Sequence, residues 1–214
     1  MTAGSDILGV ILAGGAGRRM FADAGGTGDK CLIELGGKAM LAHVIERLAP
    51  QVGQIVLNAN GDPSRLRAFD LAIVPDPDDS RAGPLAGYAA AMMWAEKQPR
   101  PQHAIVTVPC DSPFLPVDLV LRLSEAARDG NPAIAVSAGR RHPVVGFWPL
   151  AIRPNVEKAL REGRRRVEDF AQHQQAIEVV FPFGDIGGVS VDPFFNANSP
   201  EDVATARRLL SGQP

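Results

Sequence analysis

Short apolar runs alternate with stretches of helical periodicity along most of the chain. Residues 7–12 are a continuous apolar run of the kind that fills a fully buried strand. A long polar stretch follows, then Cys31-Leu-Ile-Glu-Leu35 and a Gly36-Gly37 turn. Apolar residues at 40, 41, 44, 45 and 48 form a helical stripe that Pro50 ends. The pattern then predicts strands over 54–57 and 71–74, an Ala-rich helix over 84–97, a strand over 104–108 and a helix over 116–128. Four strands separated by helical segments predict βαβ units, hence an α/β fold with a mainly parallel sheet. Beyond residue 130 the rhythm loosens: strands are expected over 133–137, 144–148 and 177–181 and a helix over 155–160. A last helix opens at Ser199, a suitable N-cap, with Pro200 at the first helical position and Asp202 completing a capping box. No internal repeat or linker interrupts the 214 residues, so one domain is expected over 1–214.

Composition narrows the function classes. A formal charge of −2 gives no broad basic field, which argues against a nucleic-acid partner. The two cysteines, Cys31 and Cys110, form no CxxC pair, so neither a disulfide scaffold nor a structural zinc site is expected. The 22 glycines and 18 prolines make up nearly a fifth of the chain, above the usual share of about 12%. With apolar runs throughout, this excess points to a folded protein with many shaped loops. The run at 7–12 is far shorter than the roughly 20 residues of a membrane span, and it lacks the flanks of a signal peptide. A cytoplasmic enzyme without a membrane partner is the expectation.

Ligands of open α/β sheets bind beyond the carboxyl ends of the strands. The residues just past the four strands are therefore informative: Leu12, Ala13, Gly14 and Gly15; Asn58 to Asn60; Pro75 and Asp76; and Pro109 to Pro113. The first loop fits neither a dinucleotide fingerprint nor a Walker P-loop, because Met20 replaces the last glycine and Ala39 follows Gly37-Lys38. Its glycines nevertheless allow main-chain N–H groups to approach a phosphate, with Arg18, Arg19 and Lys30 adding charge. A solvated turn with three surface cations is the plainer alternative. Asp111, a lone carboxylate directly after a buried strand, suits Mg2+, which takes one or two carboxylates plus phosphates and water. The alternative is a helix cap, a role Asp118 can fill instead. Asn58 and Asp76 can accept from the N–H groups of guanine, or be ordinary turn residues. His43 lies on an apolar stripe and reads as a packing residue, while His103 and His173 read as surface.

Leu12 to Gly15, then Arg18-Arg19-Met20 and Asp29-Lys30, resemble the signature of sugar-nucleotide and cofactor nucleotidyltransferases. Gly83-Pro-Leu-Ala-Gly87, the segment from Pro109 to Pro116, Arg140-Arg-His-Pro143 and Phe195-Asn-Ala-Asn-Ser-Pro200 narrow the resemblance to the molybdenum cofactor guanylyltransferase family. It spans about residues 7–209. The resemblance implies a three-layer Rossmann-like sandwich, GTP and molybdopterin as substrates, and Mg2+ as the metal. It places Leu12, Ala13, Gly14 and Gly15 at the nucleotide, Lys30 at its phosphates, Asn58 and Asp76 on the guanine side, and Asp111 on the metal. Lys30 and Asp111 are then the catalytic pair. Arg19, Arg140, His142, Asn196 and Asn198 fall to the acceptor, with Arg164 to Arg166 either joining them or starting a solvated helix. The nucleotide half would cover about 7–116 and the acceptor half about 117–210. The connection from Phe21 to Gly28 is longer than the family's usual loop.

The implied chemistry is guanylyl transfer, with attack of the molybdopterin phosphate on the α-phosphorus of GTP and release of pyrophosphate. A phosphate nucleophile is already ionised near neutrality, which agrees with the lack of a His–carboxylate pair. Rival expectations are a cytidylyltransferase for the same cofactor, a sugar-phosphate nucleotidyltransferase, or a noncatalytic GTP-binding adaptor that delivers cofactor. Cofactor-biosynthesis and delivery proteins are the expected protein partners.

Overall fold

Backbone pairing gathers the apolar runs into one seven-stranded sheet. The computed structural model describes residues 4–14, 28–77 and 83–212. The sheet contains β1 (Ile7–Leu12), β4 (Gln54–Asn58), β5 (Ala72–Val74), β6 (Ala104–Pro109), β7 (Ala133–Ser137), β8 (Arg140–Pro149) and β9 (Ile177–Val180), in the order β5-β4-β1-β6-β8-β7-β9. All neighbours pair parallel except β8, which runs antiparallel to both β6 and β7. The expected mainly parallel sheet is thus present.

Side-chain alternation explains why the strands are apolar throughout. Ile7 and Ile11 of β1, with Ala104, Val106 and Val108 of β6, enter the core on one face. Leu8 and Val10, with Ile105, enter the core on the other. A strand buried on both faces admits a polar residue only where internal hydrogen bonds satisfy it. The first core is closed by α1 (Met40–Leu48), through Leu41, Val44 and Leu48, and by α3 (Leu119–Ala126), through Leu119, Val120 and Leu123. The second is closed by α2 (Pro84–Glu96), α4 (Arg153–Arg161) and α5 (Val167–His173), with Tyr88, Met92, Val156 and Phe170 buried. The result is a three-layer α/β/α sandwich. Helix α2 is buried nearly all round because α4 lies over its outer side.

One polar cluster sits inside the second core. Thr107 Oγ1 donates to the Val144 carbonyl at 2.8 Å and accepts from Trp148 Nε1 at 3.0 Å, beside the Tyr88 hydroxyl at 3.2 Å. These bonds satisfy buried groups that would otherwise cost about 1–3 kcal/mol each. Burial also keeps the Tyr88 phenol protonated well beyond its ordinary range.

A third, smaller core lies beside the sheet. The hairpin β2 (Glu34–Leu35) and β3 (Lys38–Ala39) packs against α6 (Pro200–Ser211), around Leu35, Met40, Phe114, Ala197, Val203 and Ala206. A second hairpin, β10 (Gly184–Ile186) and β11 (Val189–Val191), contributes Val191 to it. Its turn, Gly187-Gly188, has φ of +61° and +86°, the sign a type I′ hairpin turn requires at both positions.

The structure departs from the periodicity reading in several places. Helix α3 begins at Leu119, three residues later than expected, with Asp118 at its N-cap position. The Asp118 side chain makes no capping bond and instead faces Arg122 at 3.9 Å. Strand β8 begins at Arg140 because Ala138-Gly139, φ +46° and +74°, turns the chain back at once. Helix α5 and the β10–β11 hairpin have no counterpart in the predicted elements.

Candidate active site

The strand order reverses around β1: β4 and β5 extend to one side of it, β6 to the other. A crevice therefore opens beyond the carboxyl ends of β1 and β6, the usual ligand position in such sheets. Register aligns the four strand ends, since Leu12 pairs with both Asn58 and Pro109, and Asn58 pairs with Val74. The chain is tied there by Ala13 N to Asn58 O at 2.8 Å and by Cys110 N to Leu12 O at 3.2 Å. Ala13 is buried and Gly14, the next residue, is exposed at the mouth.

Lys30, Asp111 and Asn198 meet at this edge. The single turn Lys30–Leu32 is capped by Asp29, whose Oδ1 accepts from Cys31 N at 3.0 Å. This directs the Lys30 ammonium onto Asp111 Oδ2, in an ion pair whose side chains are only 10% and 14% exposed. The same ammonium donates to Asn198 Oδ1 at 2.5 Å. Asp111 Oδ1 is buried and has no hydrogen-bond partner among the described residues. An unpartnered carboxylate oxygen is costly to bury, and it suits a cation that would complete its coordination with phosphate oxygens and water. No group of three His, Cys, Asp or Glu able to hold a metal occurs among the described residues. The free oxygen of Asp111 fits a divalent cation held through one carboxylate.

The segment bearing Asn198 is fixed to the Asp111 loop from two directions. Ala197 N donates to the Asp111 carbonyl at 3.0 Å, and Ser112 Oγ, fully buried, donates to Asn196 Oδ1 at 2.6 Å. From the other side, Asp202 Oδ2 accepts from Asn198 N and Ser199 N, both at 2.9 Å, while Ser199 Oγ accepts from Asp202 N at 3.2 Å. The expected capping box is thus formed and also anchors a site residue. Replacing Ser199 with alanine should cost about 1 kcal/mol of stability, the usual cost of a lost N-cap. Urea denaturation at constant m-value is the measurement. Turnover should change little, because Asp202 still holds Asn198.

Asn58 and Asp76 form a second cluster on the β4–β5 side. Asn58, buried at the end of β4, donates through Nδ2 to Val74 O at 3.0 Å and to Asp76 Oδ1 at 2.9 Å. Asn60 donates to Asp76 Oδ2 at 2.7 Å and accepts from Asp76 N at 2.8 Å. Both carboxylate oxygens of Asp76 are thereby oriented. The sequence pattern assigns no role to Asn60, nor to Arg65 and Asp29, which pair through Arg65 Nη1 and Asp29 Oδ2.

The two cysteines, remote in sequence, are both buried and free, and both lie in the first core beside Leu12 and Ala13. A hydrogen bond with Cys110, then burial, pushes the Cys31 thiol up, so it remains a protonated packing group.

Arg140 and His142 lie on the same sheet edge, at the start of β8, but among the described residues no hydrogen bond or ion pair joins them to Lys30, Asp111 or Asn198. Arg140 is exposed. His142 is buried, and its Nε2 lies 2.7 Å from Ser137 Oγ, which donates to Asp192 Oδ1 at 2.8 Å. The serine's single proton goes to Asp192, so His142 is the donor to Ser137. With serine in the middle, the trio is a bracket and cannot run a Ser-His-Asp proton relay. Burial holds the His142 imidazole below its ordinary pKa; Arg140 pushes the same way and Asp192 opposes. Arg164 pairs with Glu162, and Arg166 approaches Asp169 at 3.9 Å. The Arg165 backbone reaches Gly83 at the start of α2. His43 Nε2 lies 2.8 Å from Leu35 O, and His103 pairs with Asp6 at the surface. Gly15, Arg18 and Arg19 lie outside the described residues.

Residues 9–177 match the family model of the MobA-like NTP transferase domain. The chain is 46% identical over 208 residues to the molybdenum cofactor guanylyltransferase of Mesorhizobium japonicum, covering 96% of each. It is 45% identical over 208 residues to the molybdenum cofactor guanylyltransferase of Bradyrhizobium sp. (strain ORS 278), covering 96% of this chain and 93% of that one. Among solved structures, molybdopterin-guanine dinucleotide biosynthesis protein A from Archaeoglobus fulgidus shares the fold with a TM-score of 0.68 at 20% identity, covering 95% of this chain and 98% of the other. No helix among the described residues is long and apolar enough to cross a membrane. On the family match and the identity across nearly its whole length, this chain belongs to the MobA-like NTP transferase family, together with the molybdenum cofactor guanylyltransferases.

Proposed function

We propose that the chain transfers the guanylyl group of GTP to the terminal phosphate of molybdopterin, forming the guanine dinucleotide cofactor and pyrophosphate. The observation that carries the site assignment is the Lys30–Asp111–Asn198 cluster at the crevice, with Asp111 Oδ1 buried and without a partner among the described residues. In the reaction, an oxygen of the acceptor phosphate forms a bond to the α-phosphorus as the bond to the pyrophosphate oxygen breaks. The acceptor phosphate is largely ionised at neutral pH, so no side chain need remove a proton. The protein's work is to align two anions and offset their charge.

Lys30 supplies a fixed positive charge for the nucleotide phosphates, held in place by Asp111 and Asn198. Asp111 would hold Mg2+ through its free oxygen. When bound, Mg2+ neutralises phosphate charge and orients its oxygens. Leu12, Ala13, Gly14 and Gly15 are assigned to the nucleotide, and Asn58 and Asp76 to its guanine. Asn196, Asn198, Arg140, His142 and Arg19 serve the acceptor side. In this reading residues 7–116 form the nucleotide half of one domain and 117–210 its acceptor half, in a cytoplasmic enzyme that passes its product to cofactor-delivery proteins.

The test is pyrophosphate release with Mg2+, molybdopterin and GTP, CTP or UTP in parallel. Release with GTP at a kcat/KM well above that of CTP and UTP is expected. A preference for CTP would make the chain a cytidylyltransferase for the same acceptor. GTP binding without any pyrophosphate would make it a carrier.

A further inference from the structure

We propose that Arg65 is a positioning residue that couples the phosphate end of the nucleotide site to its base end. The inference rests on the assignment of Lys30 to the phosphates and Asp76 to the base. It arises from an unbroken run of polar contacts between the two. Asp29 Oδ1 caps the turn that carries Lys30, and Asp29 Oδ2 is held by Arg65 Nη1. Arg65 Nη2 donates to the Asn60 carbonyl at 3.3 Å. The Asn60 side chain then makes two bonds to Asp76, one to its carboxylate and one from its main-chain N–H. Asn58 completes the bracket on the other carboxylate oxygen.

Arg65 is well placed to transmit position. It lies on the short helical segment Pro63–Phe69, whose start is fixed by Asp62, the acceptor for Ser64 N at 2.9 Å and Ser64 Oγ at 2.6 Å. The Arg65 and Asp29 side chains are 27% and 16% exposed, so water screens their pairing only in part. The planar guanidinium reaches two acceptors in fixed geometry, the Asp29 carboxylate and the Asn60 carbonyl. A lysine ammonium has no such fork. A shift of the Lys30 turn on binding phosphate therefore moves Asn60, and with it the Asp76 carboxylate. The guanine-reading group is set by the same frame that holds the phosphates.

The experiment compares Arg65→Gln and Arg65→Lys with the wild type, each confirmed folded by thermal melting. Calorimetry gives Kd for GTP and for CTP, and pyrophosphate release gives KM and kcat. Arg65→Gln should raise Kd and KM for GTP by roughly two- to thirty-fold, with kcat moving less, and should lower the GTP-over-CTP preference by a similar factor. Arg65→Lys should recover overall nucleotide affinity by re-pairing with Asp29 while leaving the base preference impaired. If Arg65→Gln weakens both nucleotides equally, or neither, Arg65 does not reach Asp76 and the proposal is overturned. A wild type that binds GTP over CTP but releases no pyrophosphate refutes guanylyl transfer alone, and the ratio of dissociation constants still decides the role of Arg65. A wild type with no base preference overturns the coupling itself.

Discussion

Replacing Asp111 with alanine should lower guanylyl transfer by about a thousandfold or more while the protein remains folded. Removing one preorganised group that stabilises transition-state charge costs about a hundred- to a thousandfold in comparable sites. Here the same change would also take away the carboxylate available to a cation. A thousandfold corresponds to about 4 kcal/mol of transition-state stabilisation. Two opposing terms set the effect on stability. The Lys30 ammonium loses its ion-pair partner and, among the described residues, keeps Asn198. The fold also loses a buried carboxylate oxygen with no hydrogen bond among the described residues, which relieves about 1–3 kcal/mol. The net change should therefore fall short of the 3–5 kcal/mol typical of breaking a buried ion pair. Asp111→Asn, which keeps the shape and removes the charge, should lose turnover almost as completely. Pyrophosphate release below the melting temperature, beside thermal melting of both variants, separates the effects. Near-normal turnover in either variant removes Asp111 from the mechanism.

Why Asp111 was visible in the sequence, and some of its partners were not, has a physical explanation. A strand buried on both faces produces an unmistakable apolar run, so β1 and β6 and the carboxylate immediately after β6 could be located without coordinates. The parallel arrangement then required their ends to share one edge. The capping box at Ser199 is equally local, because its bonds close within four residues. By contrast, Lys30 reaches Asp111 across 81 positions and Asn198 across 168. No periodicity encodes such a meeting; only the family resemblance pointed to Asn198.

Arg65 was invisible for another reason. It sits on an exposed seven-residue segment whose composition resembles any surface turn, and its meaning depends on Asp29, 36 positions earlier. The setting of His142 is equally non-local: the β7–β8 register carries it inward onto Ser137 and Phe194. Helix α5 is too short for a clear 3.6-residue period, spanning seven residues. Its existence follows from Val167 and Phe170 meeting a core formed by segments far away in sequence.

Gly87→Ala should destabilise the protein by about 2 kcal/mol or more and weaken GTP binding at least about tenfold, although alanine is ordinarily the better helix former by about 1 kcal/mol. Gly87 lies in the first turns of α2 against the end of β4. A Cβ there would stand 2.2 Å from Asn58 Oδ1 and 2.7 Å from its Cγ. Asn58 cannot simply swing away: it is 5% exposed, and its amide is committed to Val74 O and Asp76 Oδ1. Overpacking of this kind costs about 1–3 kcal/mol, and a displaced buried amide adds about 1–3 kcal/mol. Together they outweigh the gain in helix propensity. The displaced amide would also release one side of the bracket on Asp76, so the loss should appear in GTP affinity as well as in the urea midpoint. A double-mutant cycle with Asn58→Ala tests the cause. If the methyl–amide collision is responsible, Gly87→Ala should cost far less stability once Asn58 has been shortened. Equal costs in the two backgrounds would mean that the glycine serves α2 itself, and the close approach of helix and strand would lose its assigned part in holding the base-side cluster.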